Sequence, residues 1–267
     1  MPDLDRFDCY ELCVQSPRHV AGFLRAVHGN NPVRLREDFC GTAAVSRRWI
    51  EDARKRGEKA EVVAVDLDPA CIAKAEKLVP PEVLLVIGDS TSADAGETSC
   101  DVAFVGNFSI GYLHTRSQLS RYLTLTRERL ARGGGGFGGG VCVCDTYGGA
   151  SAFRLGSLTR KHPSRTGEIV HYHWAHEEAN PLTGMVINSI SFRVEKDGEI
   201  VQELPRAFVY RWRLWSIAEL RETMMEAGFA STEVYTDCNI APGEQPVPVT
   251  DPGALKEDWI VLITARV

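Results

Sequence analysis

Two hydrophobic patterns alternate along the first 150 residues of the chain. Short apolar runs rich in branched side chains are typical of strands buried on both faces of a parallel sheet. Longer segments with apolar residues three or four positions apart are typical of helices that cover such a sheet. The predicted strands are 62–65, 83–87, 101–105 and 141–145, and the predicted helices are 9–28, 43–56 and 115–132. This alternation predicts a parallel sheet with helices on both faces.

Residues that favour helix ends support these boundaries. Pro17 divides the first helical segment into two, and Gly57 ends the segment 43–56. Asp68 followed by Pro69 is typical of an N-cap and a first helical position. These residues therefore support the predicted helix boundaries.

The pattern changes after residue 150. Residues 168–213 predict several strands, with hairpin signals NPLTG at 180–184 and KDG at 196–198. A helix with a capping box follows at 216–227, and two more strands follow that helix. We predict a helical cap at 1–32, a core at 33–150, an antiparallel insertion at 151–214 and the end of the core at 215–267.

Composition narrows the classes of function. The chain has 267 residues, enough for one α/β domain with a small appended subdomain. Its formal net charge of −6 argues against nonspecific binding of nucleic acid, which needs a basic surface. No apolar run is long enough to span a membrane, and the acidic N-terminus lacks a signal segment. We therefore expect a cytoplasmic protein.

The eight cysteines do not suggest a metal site, because none form a C-x-x-C motif. We expect buried, reduced thiols and no bound metal. Cys142 and Cys144 alternate along a predicted strand, so both should face the same side of the sheet. The glycine-rich tract at 133–140 predicts a turn before that strand, although it holds more glycines than a turn needs.

The turn after the first strand carries the most information about chemistry. Glu37 and Asp38 end an apolar lead-in, and small residues follow before a helix begins. A strand that enters a helix in this way presents free backbone N–H groups and the positive end of the helix dipole. Small side chains let a ligand approach that backbone closely.

Acids recur at the ends of the next two strands, as Asp66 and Asp89. Ligands of open parallel sheets bind outside the carboxyl ends of the strands, and an acid after the second strand commonly binds ribose hydroxyls. The turn lacks the G-x-G-x-x-G spacing of dinucleotide sites, and no P-loop is present. We therefore expect a nucleoside ligand without phosphates.

Together these segments resemble the class I S-adenosylmethionine-dependent methyltransferases. The matching segments are EDFCGTA at 37–43, VVAVDLD at 62–68, GDS at 88–90, DVAFVGNFS at 101–109 and WSIAELRETMMEAGF at 215–229. CYELCVQSP at 9–17 and AFVYRWRLW at 207–215 resemble a largely uncharacterised bacterial branch that acts on small molecules. The resemblance implies an α/β fold: a Rossmann-like, seven-stranded, mostly parallel sheet with a small antiparallel β layer inserted after the fifth strand. Phe39 and Ala43 depart from it, because they replace glycines of the common first motif.

The resemblance also implies roles for individual residues. Asp66 would bind the ribose, Asp89 and Ser90 would border the adenine, and Asn107 and Phe108 would lie near the sulfonium. The full set of implied cofactor contacts is Tyr10, Gln15, Arg36, Glu37, Phe39, Cys40, Gly41, Thr42, Ala43, Asp66, Leu67, Asp89, Ser90, Asn107 and Phe108. The implied cofactor is S-adenosyl-L-methionine, with S-adenosyl-L-homocysteine as product.

The expected reaction is in-line methyl transfer to a small molecule, which needs orientation more than acid–base chemistry. No decisive catalytic pair is expected. The candidate catalytic residues are Tyr147, His171, His173, Tyr210 and Arg211. A protein without activity that binds the cofactor as a scaffold or partner subunit is the alternative, as is a protein or nucleic-acid methyltransferase. We expect no nucleic acid or membrane as partner, and a homodimer is compatible with the sequence.

Overall fold

The computed structural model describes residues 4–29, 31–96, 99–131, 139–241 and 243–267. Residues 133–138 of the glycine-rich tract lie outside this description, so its predicted turn is not tested there. Within the described residues the helices are α1 Arg6–Cys13, α2 Pro17–His28, α3 Ala44–Arg56, α4 Pro69–Ala75, α5 Arg116–Ala131 and α6 Ile217–Glu226. The strands are β1 Arg34–Asp38, β2 Glu61–Asp66, β3 Val83–Ile87, β4 Val102–Val105, β5 Val141–Gly149, β6 Gly156–Pro163, β7 Ile169–Asn180, β8 Met185–Lys196, β9 Glu199–Arg213, β10 Ser231–Tyr235 and β11 Asp258–Arg266.

The chain divides into two compact units. The smaller unit combines the N-terminal segment that ends at Gln15 with Ala150–Leu214, and the larger unit combines Ser16–Gly149 with Trp215–Val267. The helical cap predicted at 1–32 is thereby divided, since α1 belongs to the smaller unit and α2 to the larger one.

The larger unit contains a seven-stranded sheet in the order β10-β11-β5-β4-β1-β2-β3. Neighbouring strands from β5 to β3 pair in parallel, whereas β11 pairs antiparallel with both β5 and β10. The carboxyl ends of β1 to β5 therefore meet at one edge of the sheet. The β1/β4 boundary is where the strand order reverses, which is the usual place for a ligand cleft.

Apolar side chains cover both faces of this sheet. On one face, Phe23 of α2 and Trp49 of α3 are fully buried in a cluster with Tyr235. On the other face, Tyr122 of α5 is fully buried in a cluster that also contains Cys142 and Cys144. The prediction that these two cysteines share a face is confirmed.

Two strands differ from the sequence prediction. The strand β5 was expected to end at Asp145 but continues to Gly149, because β11 pairs along its whole length as far as Asp258. The strand β6 was not predicted. Most of its residues are exposed, so it carries no hydrophobic alternation, and its pairing with β7 holds it in the sheet.

The smaller unit contains a four-stranded antiparallel sheet in the order β6-β7-β8-β9. One face is aromatic: the rings of Tyr210 and Trp212 stack with centroids 4.4 Å apart, and the centroid of Trp174 lies 6.1 Å from that of Trp212. The ring of Tyr10 on α1 lies 4.9 Å from that of Phe208, so α1 packs on this face. We call it the aromatic face below.

Across the part of the chain that the structure describes, no helix has both the length and the apolar character required to cross a membrane.

Candidate active site at the carboxyl edge of the parallel sheet

The turn from β1 to α3 has an unusual backbone. Phe39, Gly41 and Ala43 have φ angles of 55°, 56° and 56°, in the left-handed region. Hydrogen bonds hold the turn: the Cys40 N–H donates to the Val65 oxygen at 3.0 Å, and the Ala43 N–H donates to the Cys40 oxygen at 2.9 Å. A side chain added at Gly41 would meet no atom within 4 Å. The backbone at Gly41 is therefore open to a ligand.

The two departures from the glycine pattern of the first motif lie at these left-handed positions. An alanine in this conformation has a steric cost that glycine avoids. We expect Ala43→Gly to raise the free energy of unfolding by about 0.5–1 kcal/mol. Chemical denaturation measures this. The matched control Ala44→Gly, in the first turn of α3, should instead lower stability. Equal losses in both variants would contradict the strain at Ala43.

Asp66 at the end of β2 organises this turn. One carboxylate oxygen accepts from the Gly41 N–H at 2.7 Å, and the other accepts from the Asp68 N–H at 2.9 Å. Burial raises the pKa of Asp66. The backbone of Leu67 also bonds this carboxylate. A carboxylate has about four acceptor positions, so Asp66 can still accept a hydrogen bond from a ribose hydroxyl.

Apolar and polar groups flank Asp66 along the same edge. Leu67 and Ile87, at the ends of β2 and β3, expose 69% and 59% of their surface. Asp89 is exposed and accepts from the N–H and hydroxyl of Thr91 at 2.9 and 2.8 Å, whereas Ser90 is buried. Ile87 was not among the predicted site residues, although it directly precedes the GDS motif.

The side chain of Glu37 does not point to the surface at the carboxyl edge of the sheet. Its side chain is buried and accepts from the Ser46 N–H at 2.8 Å and from the Ser46 hydroxyl. It therefore holds the first turn of α3 to the end of β1. Cys40 and Thr42 are also buried, so these residues present backbone rather than side chain to a ligand.

Glu37 should make stability depend on pH. Burial raises the pKa of Glu37 to about 7, so the folded protein binds this proton more tightly than the unfolded chain does. The contribution of Glu37 to stability is therefore fully present at low pH and is lost as the pH rises from the ordinary carboxyl range to about 7, by at most about 1.4 kcal/mol per pH unit. Denaturation at pH 5.5 and 7.5 should show a smaller decline for Glu37→Gln than for the wild type. The exposed Glu51→Gln on α3 is the control, and an unchanged decline in Glu37→Gln would refute the assignment.

Arg36 corrects a sequence prediction. It was expected to pair with the carboxylate of the cofactor, or else to lie on the surface. Its guanidinium is instead buried, with Nε 2.9 Å from the Asp38 carboxylate, and it donates to the Ala95 and Gly96 oxygens at 2.7 and 2.8 Å. These bonds commit Arg36 to the core.

Asp145 on β5 is a site residue that the sequence did not reveal. Its carboxylate accepts from the Asn107 N–H at 2.9 Å and from the Phe108 N–H at 2.6 Å. Both residues have left-handed φ angles of 54° and 61°. Burial raises the pKa of Asp145 to about 7. Asp145 therefore fixes the loop after β4. The signal available in the sequence was an acid at the end of the predicted strand 141–145.

The candidate catalytic residues predicted from the sequence lie in different parts of the structure. Tyr147 of the larger unit lies beside Phe108, with ring centroids 4.9 Å apart. In the smaller unit, Tyr210 belongs to the aromatic face, whereas Arg211 is exposed on the opposite face. His171 and His173 line a cavity of about 390 Å³ on that opposite face, where His171 bonds Glu195 and His173 bonds Thr159.

The two N-terminal candidates both lie in the smaller unit. Tyr10 packs against Phe208, as described above. The side-chain oxygen of Gln15 is buried and has no hydrogen-bond partner among the described residues. No cluster of three His, Cys, Asp or Glu residues in the described ranges has the arrangement of a metal site.

Comparisons with known proteins identify the fold. Neither a protein-family model nor a curated protein matches the sequence. Among solved structures, DesVI of Streptomyces venezuelae is 17% identical, with a TM-score of 0.71 over 99% of both chains. The sugar N-methyltransferase KedS8 from Streptoalloteichus sp. is 16% identical, with a TM-score of 0.67 over 100% of this chain and 94% of KedS8. CalS10, an amino pentose methyltransferase from Micromonospora echinaspora solved with S-adenosylmethionine bound, is 18% identical, with a TM-score of 0.65 over 97% of this chain and 94% of CalS10.

The fold is that of S-adenosylmethionine-dependent methyltransferases. This confirms the Rossmann-like fold class predicted from the sequence, including the antiparallel layer after the fifth strand. At these sequence identities the likeness extends to the fold, and the chemistry has to be argued from the residues themselves.

Proposed function

We propose that the protein is a class I S-adenosylmethionine-dependent methyltransferase that acts on a small molecule by in-line methyl transfer. The observation that carries the proposal is the pairing of Asp66 with Gly41. A carboxylate with free lone pairs stands beside a turn whose backbone has open space above it. They lie at the carboxyl ends of β1 and β2, beside the β1/β4 boundary where the strand order reverses, in a fold shared with enzymes of this class.

The residues at this edge suit an adenosine group. In this proposal the Asp66 carboxylate accepts hydrogen bonds from the ribose hydroxyls, and the exposed side chains of Leu67 and Ile87 contact the faces of the adenine. Asp89 accepts a hydrogen bond from the adenine amine, near Ser90. The backbone of 39–43 lies under the methionine part of the cofactor, and no phosphate-binding motif is needed.

The remaining proposed contacts follow from the predicted set. Asn107 and Phe108, held by Asp145, lie near the sulfonium. Tyr10 and Gln15 remain predictions from the sequence. Arg36 is no longer included, because its guanidinium is committed to Asp38 and two carbonyl oxygens.

The protein's part in the reaction is mainly orientation. When bound, S-adenosylmethionine supplies an activated methyl group on a sulfonium. The residues of the site hold the acceptor in line with that group and exclude water, which can supply roughly 7–11 kcal/mol of the barrier. A base is needed only where the acceptor arrives protonated.

A small-molecule acceptor is favoured by what the similar structures are named for, a sugar and an amino pentose. The net charge of −6 offers little attraction to nucleic acid. A cytoplasmic location remains a prediction from the sequence, with which a homodimer is compatible.

A transfer assay tests the function. The protein would be incubated with S-adenosylmethionine carrying a labelled methyl group and with pools of small amines, alcohols and thiols. We expect label in at least one small-molecule pool, together with stoichiometric S-adenosylhomocysteine. Binding of the cofactor with no transfer, or transfer only to added protein or RNA, would contradict the proposal.

A further inference from the structure

Two buried arginines hold the loop that follows β3, residues 88–96. Arg129 of α5 donates to the Ser90 oxygen at 3.2 Å and to the Ser92 oxygen at 2.7 Å. Arg36 of β1, described above, donates to two further backbone oxygens near the end of the same loop. Arg129 and Arg36 expose only 5% and 1% of their surface. Two guanidinium groups therefore bind four carbonyl oxygens of one short loop.

These arginines do what hydrophobic packing does not do for this loop. Its sequence, GDSTSADAG, contains no apolar side chain larger than alanine. The counter-charge of Arg36 is the Asp38 carboxylate, 2.9 Å from its Nε. Burial and the charge of Arg36 lower the pKa of Arg129, whereas Asp38 opposes that shift, so one carboxylate serves both cations. Buried ion pairs are weak evidence for stability, and this arrangement favours a single loop conformation instead.

Asp89 lies between two fixed points of the 88–96 loop. Before it, the Gly88 N–H donates to the backbone oxygen of Asp66 at 3.0 Å. After it, Ser90 is buried and its oxygen is bound by Arg129. Asp89 itself is exposed. The backbone on both sides of Asp89 is thus held, while its carboxylate remains accessible to a ligand.

We propose that Arg129 and Arg36 are positioning residues that make the site select adenine over oxopurines such as hypoxanthine. The proposal rests on the proposed function, in which Asp89 accepts a hydrogen bond from the adenine amine. Hypoxanthine has a carbonyl oxygen in place of that amine and a ring N–H beside it. A fixed Asp89 carboxylate is repelled by this oxygen, whereas a carboxylate on a loose loop can shift to the ring N–H. The selection of the base therefore depends on how firmly the arginines hold the loop.

A pair of nucleosides tests this role. Isothermal titration calorimetry on the full chain would compare S-adenosylhomocysteine with S-inosylhomocysteine, which carries hypoxanthine in place of adenine. We expect the wild type to bind the adenine compound at least about tenfold more tightly. Arg129→Lys keeps a positive charge but lacks the planar fork that reaches two carbonyl oxygens. It should reduce the preference to about threefold or less. An unchanged preference, or equal binding of the two compounds by the wild type, would overturn the proposal.

The matched control is Arg25→Lys. The side chain of Arg25 is 14% exposed and also donates to two backbone oxygens, those of Pro32 at 3.3 Å and Trp49 at 3.0 Å. Neither oxygen belongs to the 88–96 loop. Arg25→Lys should therefore retain the wild-type preference for adenine even where its stability falls. Equal losses of preference in the two lysine variants would show that general destabilisation is the cause, and would overturn the proposal.

A double variant tests whether Arg129 acts through Asp89. Asp89→Asn should abolish the preference for adenine, because its side-chain amide can donate to the hypoxanthine oxygen. If Arg129 acts only by positioning Asp89, addition of Arg129→Lys to Asp89→Asn should change the preference by less than about twofold. A larger change would show that Arg129 acts by another route, against the proposal.

Gly96→Ala carries the test if Arg129→Lys does not fold. Gly96 has a φ angle of 69°, and an added Cβ would lie 3.4 Å from Nη1 of Arg36 and 3.2 Å from Cγ1 of Val63. The change disturbs the loop where Arg36 holds it and leaves every charge in place. It should lower the preference for adenine at least about threefold. A wild-type preference in this variant would overturn the proposal.

The same titrations separate this inference from the proposed function. A protein that binds S-adenosylhomocysteine with a preference that does not depend on Arg129 retains the proposed function and loses the positioning role. A protein that binds neither nucleoside contradicts the proposed function, and the positioning role is overturned with it.

Discussion

Replacement of Asp66 by alanine should weaken the binding of S-adenosylhomocysteine by about 1.5–3 kcal/mol, or roughly ten- to 150-fold. The carboxylate would lose its charged hydrogen bonds to the ribose hydroxyls. The Gly41 N–H, which now donates to Asp66 at 2.7 Å, would also lose its partner, so that the turn under the cofactor loosens. Isothermal titration calorimetry measures the affinity directly.

Asp68→Ser is the matched control for this change. Asp68 is also an acid after β2, and its carboxylate caps α4 by accepting from the Ala70 N–H at 2.8 Å. Serine preserves the cap and removes only the charge. The affinity of this variant should stay within about twofold of the wild type. Equal losses at positions 66 and 68 would show that general charge, and not a specific bond, attracts the ligand.

Replacement of Asp145 by alanine should lower both stability and cofactor affinity. The N–H groups of Asn107 and Phe108 would lose their acceptor, and each unsatisfied buried group costs about 1–3 kcal/mol. The free energy of unfolding should fall by about 2–4 kcal/mol. The left-handed loop that these bonds hold would lose its shape, so the affinity for S-adenosylhomocysteine should fall at least about tenfold.

The control variant Asp101→Ala separates the loss of stability from the loss of affinity for S-adenosylhomocysteine. Asp101 also accepts from two backbone N–H groups, those of Val33 and Arg34, each at 2.8 Å. It lies at the amino end of β4, at the opposite edge of the sheet from the proposed site. This variant should lose comparable stability and keep its affinity. Unchanged affinity in folded Asp145→Ala would refute the positioning role of Asp145.

Local sequence signals predicted most of the parallel sheet and its helices. Apolar runs and caps such as Asp68-Pro69 and the Ser216–Glu219 box depend on neighbours in the chain, and the structure has both caps. The strand β6 escaped prediction because an exposed edge strand has no hydrophobic alternation. Its position follows from pairing with β7, which is a tertiary contact.

The sequence predicted those site residues that are acids at the ends of strands. It did not predict roles that depend on contacts with residues far away in the sequence. Asp66 lies at its predicted strand end. Arg36 was mispredicted because its partners include the carbonyl oxygens of Ala95 and Gly96, about 60 residues away in sequence. Asp145 was missed as a site residue for the same reason, since its bonds join β5 to the loop after β4, 37 and 38 residues away in sequence. Such pairings depend on sheet order rather than on local pattern.

A crystal structure of the complex with S-adenosylhomocysteine tests the central claim most directly. We predict that both ribose hydroxyls lie within hydrogen-bonding distance of the Asp66 carboxylate, that the adenine contacts Leu67, and that the sulfur lies near the loop fixed by Asp145. A nucleoside bound away from the carboxyl ends of β1 to β4, or one whose ribose does not contact Asp66, would contradict the account.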